Sequence, residues 1–245
     1  MKPAILFALI LPAFSPECSA QWARIDSETI RLQGSIDGDS YDSYLAASQG
    51  GYSSVILQSP GGSAMPALMI AEDMRRHQPK VRVESHCLSS CANYLLIASP
   101  APQVNCGGLV AWHGSPTLDI DSSIEVMLIE DKDRGLIEKY GAWGRRIQKM
   151  EREFYESVGV DQALLADSLA VMRREGVGGV SSFSFNDMTG DYSETVSAGV
   201  WVPTMAIMQR YGIDTRNFCE SYDTDISGAV KRLKMSAPYT SAAPD

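Results

Sequence analysis

Histidine is scarce in this chain, with three among 245 residues. His77, His86 and His113 show no ligand-like spacing, so a metal site is not expected, and nothing else in the sequence calls for a cofactor. Basic residues are in deficit, 21 Lys and Arg against 30 Asp and Glu, which leaves a net charge of −9 and argues against nucleic acid or anionic lipid as partners. Internal repeats and low-complexity tracts are absent. Beyond residue 20 no apolar run is long enough for a membrane span.

What the chain does have begins at its start. Lys2, an apolar stretch from Ala4 to Phe14 broken only by Pro12, and Cys18-Ser19-Ala20 read as a secretory signal peptide over residues 1–20, cleaved before Gln21. The expected compartment is periplasmic or extracellular. Of the five cysteines, Cys87, Cys91, Cys106 and Cys219 remain after cleavage, an even number that predicts two disulfides with three possible connectivities. Cys87 and Cys91 have three residues between them rather than two, which points to a structural bridge rather than a thioredoxin-like redox pair. The mature length, roughly 225 residues, suits one domain, taken as 21–235, followed by a polar tail, 236–245, expected to be disordered.

Strand and helix alternate through the first half. Strands are expected at Glu28 to Leu32, Val55 to Gln58, Val81 to Glu84 and Leu109 to Trp112, and helices at Tyr41 to Ala47, Ala64 to His77 and Ala92 to Ala98. That order implies parallel crossovers and an α/β fold. Residues 124–158 read as helices projecting from or capping the sheet, with Gly135, Gly141 and Gly144 as breaks. Further helices are expected at Val160 to Arg174 and Thr204 to Tyr211, with a helical turn at Glu194 to Ala198.

Three short pieces carry chemistry: Ser59-Pro60-Gly61-Gly62, Ser89-Ser90-Cys91-Ala92 and Ala111-Trp112-His113. A glycine pair just past a strand lets backbone NH groups approach a ligand closely. A serine opening a helix lies beside free amides whose dipole favours a developing oxyanion. A histidine at the end of the next strand is placed to act as its base. The bland readings stand beside these: Ser90 as a helix cap, and His113, His86 and His77 as structural or surface histidines.

This ordered set resembles the Clp protease proteolytic subunit and its relatives in the crotonase-like superfamily. Gly62 to Ser90 spans 28 residues and Ser90 to His113 spans 23, both close to the family's pattern, and Arg31-Leu32-Gln33-Gly34-Ser35-Ile36-Asp37 resembles its first strand and turn. The resemblance covers residues 28–115 well and the rest loosely. It implies a repeated β-β-α spiral with a helical projection, and Ser90 as nucleophile with His113 as base. The oxyanion hole would be the amides of Gly62 and Cys91. Ser89 is a rival nucleophile, because a single gap exchanges the two serines. Asp187 resembles the family's third residue, which precedes a helix ending in a glycine and a hydrophobic residue, here matched to Gly199-Val200. Asp191 and Asp167 are its rivals.

The chain departs from the family in Cys87 and Cys91, which flank the serines, and in its export signal, which removes any expectation of an ATP-hydrolysing unfoldase. No lysine occupies a position that suggests the serine-lysine site of signal peptide peptidases. The expected activity is that of a serine hydrolase, a peptidase acting on peptide or protein, with homo-oligomers common among relatives. Two alternatives are a crotonase-like acyl thioester enzyme and a non-catalytic binding or assembly module of the same fold.

Overall fold

A computed structural model describes residues 21–118, 120–129, 134–177, 180–185, 192–196, 199–235 and 237–244. Residues 1–20, read from the sequence as a signal peptide, and Asp187 and Asp191 lie outside the described residues. The chain enters through β1 (Gln21–Arg24) and β2 (Thr29–Gln33), then α1 (Ser40–Ser48), β3 (Ser54–Ser59), α2 (Ala64–His77) and β4 (Lys80–Leu88). A π-helical turn over Cys91–Leu96 follows, then β5 (Gln103–Val104) and β6 (Leu109–Ala111). Next come α3 (Ile120–Ile129), α4 (Arg134–Val158), α5 (Ala163–Arg174), β7 (Val180–Phe185), β8 (Tyr192–Val196) and β9 (Val200–Trp201). The chain closes through α6 (Met205–Arg210), β10 (Asn217–Phe218), α7 (Tyr222–Arg232) and β11 (Tyr239–Thr240).

The main sheet runs β1-β2-β3-β4-β5-β10, with β6 pairing the far half of β4. Only β1 is antiparallel to its neighbour; every other pairing is parallel. The fold is therefore α/β, as alternation of strand and helix implies. Parallel strands covered on both faces need apolar residues on successive positions. β3 meets that need, with Val55, Ile56 and Leu57 all buried.

Helix α2 has the bounds that its composition predicts. Pro66 sits in its first turn, where a missing NH costs nothing, and Gln78 ends it in the left-handed region at φ +49° ahead of Pro79. Elsewhere the elements differ from expectation. Helix α4 continues unbroken through Gly141 and Gly144. A Cβ at Gly144 would collide with the Ile120 side chain, and one at Gly141 would come within 3.2 Å of Ile124, so these glycines serve close packing of α3 on α4 rather than a break. Ile120, Ile137 and Tyr140 form a small core between the two helices.

Residues 192–196 are strand β8, hairpinned antiparallel on β7, not a helical turn. The tail is not loose either. β11 pairs with β9, Val200 N donates to Pro238 O at 3.0 Å and Val202 N to Thr240 O at 2.9 Å. Trp201 Nε1 adds a bond to Ala242 O at 2.9 Å. An open strand edge recruits an extended segment for its unpaired amides, which composition alone does not reveal. Among the described residues no helix is long and apolar enough to cross a membrane.

Candidate active site

The site forms where parallel strands end. β3 finishes at Ser59, and Pro60-Gly61-Gly62 turns away with Gly61 at φ +92° and Gly62 at φ +141°. Both glycines are required by close approach. A Cβ on Gly61 would sit 2.5 Å from Leu88 O and 2.7 Å from Ser89 Cβ, and one on Gly62 would run into the Ile36 carbonyl. Ile36 N donates to Gly61 O at 2.7 Å and Ser63 N to Ile36 O at 2.8 Å, so the segment after β2 holds the turn like a short added strand. Gly61 N donates to Ser59 Oγ at 3.0 Å. The Gly62 amide has no acceptor among the described residues.

β4 reaches Leu88, four residues beyond the expected end, because its far half pairs with β6 from His86 to Leu88. The chain then swings through Ser89 at φ +55°, a left-handed conformation that few non-glycine residues adopt. Ser89 N donates to Ala111 O at 2.9 Å and Asn93 N to Ser89 O at 2.8 Å, which ties this residue to β6 on one side and to the π-helical turn on the other. β6 carries the chain to Trp112, whose backbone exchanges two hydrogen bonds with Trp201 at 2.9 and 2.7 Å. His113 follows directly, and Asn93 Nδ2 donates to Gly114 O at 2.9 Å.

His113 Nε2 lies 2.5 Å from Ser89 Oγ. Ser90, the serine favoured from the family's register, does not meet His113: it is 4% exposed and its Oγ donates to Gly62 O at 2.7 Å. The left-handed residue at the apex of the turn presents its side chain outward, while the next residue packs beneath as the helix begins.

Those two cysteines form a disulfide, and Cys106 pairs with Cys219. One of three possible connectivities is thereby selected. Ser89, His113 and Gly62 share a cavity of about 540 Å³ whose walls also include Ile36, Val200 and Met235. Burial lowers the His113 pKa below the ordinary histidine value, which keeps the ring neutral and able to accept a proton.

Among the described residues no carboxylate is hydrogen-bonded to His113. Asp167 accepts instead from Tyr211 OH at 2.6 Å. The segment before Gly199-Val200, expected as a helical turn, is strand β8 over residues 192–196.

Sequence reasoning missed Glu151. This carboxylate is fully buried and accepts from Tyr94 OH at 2.7 Å, Ser115 Oγ at 2.8 Å and Thr117 Oγ1 at 2.7 Å. It ties the segment just past His113 to α4 and to the π-helical turn. Burial raises its pKa, and the hydroxyl donors oppose that rise. No metal-ligating cluster occurs among the described residues. The chain matches no protein-family model and no curated protein.

Proposed function

We propose that this protein is an exported serine hydrolase, a peptidase of the Clp/crotonase-like spiral fold, with Ser89 as nucleophile and His113 as base. The observation that carries this reading is the 2.5 Å contact of His113 Nε2 with Ser89 Oγ in a cavity shared with Gly62. His113 takes the Ser89 proton as Oγ attacks an acyl carbonyl. The oxyanion is received by the amides of Gly62 and Ser90. Ser90 replaces Cys91 in that role because the donor after the nucleophile moves with the nucleophile.

His113 then passes the proton to the leaving amine, and water completes the cycle through the acyl-enzyme. The site works as a Ser-His pair, and Asp187 is an added orienter only if its removal slows turnover. The two disulfides support an oxidising compartment. Homo-oligomerisation belongs to the same reading through the family resemblance.

A fluorophosphonate probe tests this directly. Wild-type protein and Ser90→Ala should be labelled, and Ser89→Ala should not. Labelling lost in Ser90→Ala but kept in Ser89→Ala moves the nucleophile to Ser90. A wild-type protein that never labels points to the non-catalytic module, and turnover of an acyl thioester without peptide or ester hydrolysis points to the crotonase-like alternative.

A further inference from the structure

We infer that the Cys87–Cys91 disulfide is the positioning brace of Ser89, so that the site is competent only while this bridge is oxidised; the inference rests on the hydrolase reading above. Three described non-glycine residues have positive φ: Gln78, Ser89 and Lys234. Gln78 and Lys234 close helices α2 and α7, where a left-handed residue is ordinary. Ser89 instead joins a strand to a helical turn. A non-glycine residue persists in that conformation only where its surroundings impose it.

The bridge supplies that constraint. Cys87 is fixed in the sheet from both sides, opposite Ser59 of β3 and Val110 of β6. Cys91 is the first residue of the π-helical turn. The bond between them closes a five-residue ring with Ser89 at its centre, and neither cysteine is exposed. Two thiols must stand at van der Waals separation where a disulfide needs only a bond. With both sulfurs enclosed in a packed core, that extra separation has to come from the backbone between them, which is the turn carrying Ser89. The Oγ is then drawn off His113 Nε2 while the sheet stays intact.

The chemistry balances with an external dithiol as reductant. Because both sulfurs are buried, exchange proceeds through local opening of the turn: one thiolate of the dithiol then attacks a bridge sulfur, giving a mixed disulfide and freeing the other cysteine. Its second thiol then closes a cyclic disulfide and releases the first cysteine. Two electrons and two protons pass to Cys87 and Cys91, and the dithiol is oxidised.

The test uses the full mature chain carrying Cys106→Ala and Cys219→Ala, so that one bridge alone is reducible. Stepwise reduction with dithiothreitol, followed by intact mass, should slow fluorophosphonate labelling at least tenfold in the reduced fraction. Histidine ring ¹⁵N NMR should show the His113 Nε2 hydrogen bond lost over the same range. The Cys87→Ala/Cys91→Ala variant with the other bridge intact removes the covalent brace without the crowding of two thiols, and should also label more slowly than the oxidised protein because nothing covalent then holds Ser89 at positive φ.

Unchanged labelling together with an unchanged His113 resonance after reduction overturns the brace. Should the oxidised protein never label, the hydrolase reading falls and the NMR comparison alone decides the brace. Should the double alanine variant fail to fold, the reductive titration decides it.

Discussion

The hydroxyl of Ser90 donates to the carbonyl of Gly62 at 2.7 Å, which fastens the glycine turn to the start of the π-helical turn and leaves Ser89 alone to face His113. The two serines thus have separate expected phenotypes. Ser90→Ala removes one buried hydrogen bond and leaves the Gly62 carbonyl unpaired, at a cost of about 1–3 kcal/mol in stability. Its ester turnover should fall by no more than roughly tenfold, since the amide of residue 90 survives the change. Ser89→Ala should keep the thermal midpoint within a few degrees and abolish turnover. Steady-state kinetics and thermal unfolding on the same preparations check both outcomes.

The lowered pKa of His113 sets the acid limb of the pH profile. Turnover should rise with pH through a value below the ordinary histidine figure of about 6.5 and stay level above it. The sign for stability is the same. A depressed folded pKa means that the unfolded chain binds more protons in the window below about 6.5, so the contribution is complete above that value and is lost as pH falls through the folded pKa. His113→Asn should flatten that part of the stability curve. A turnover midpoint above 6.5 in wild type would contradict the assignment.

Glu151 should be the costliest of these side chains to truncate. Glu151→Ala leaves the hydroxyls of Tyr94, Ser115 and Thr117 without their acceptor in a buried space, and a loss of about 3 kcal/mol or more is expected. Glu151→Asp keeps a carboxylate on a shorter stem and should recover part of that loss. Since Ser115 and Thr117 lie just past His113, labelling should slow in both variants in the same order. Denaturant unfolding beside labelling rates measures the pair of effects.

The two disulfides should differ sharply in what they hold. By the loop-closure relation the Cys106–Cys219 bridge, with a separation of 113 residues, is worth about 4.8 kcal/mol, and the Cys87–Cys91 bridge, with a separation of 4, about 2 kcal/mol. Removing the long bridge should therefore lower the thermal midpoint far more than removing the short one. Peptide mapping without reduction should recover only these two pairings. A Cys87 to Cys106 peptide would overturn the connectivity.

Much of the α/β order was legible from the chain itself. The short apolar run Val55-Ile56-Leu57, β-branched and bounded by turn residues, reads as a strand buried on both faces, and Ala64 to His77 carries its own stop signal in Gln78-Pro79. The glycine turn, the serine pair and His113 were visible as an ordered set because strand ends in a parallel sheet gather on one edge. Local composition also determined that the cysteines would pair.

Tertiary structure alone decided the rest, chiefly through partners remote in sequence. Gly141 and Gly144 stay helical because Ile120 and Ile124 need the space that a side chain would fill. The polar tail is ordered because the edge of β9 offers it amides. The choice between Ser89 and Ser90 depends on one left-handed φ, held between Ala111 O, Gly62 O and the Cys87–Cys91 bond. Neighbouring serines of identical chemistry cannot be told apart by propensity; only the contacts around the turn settle which one faces the histidine.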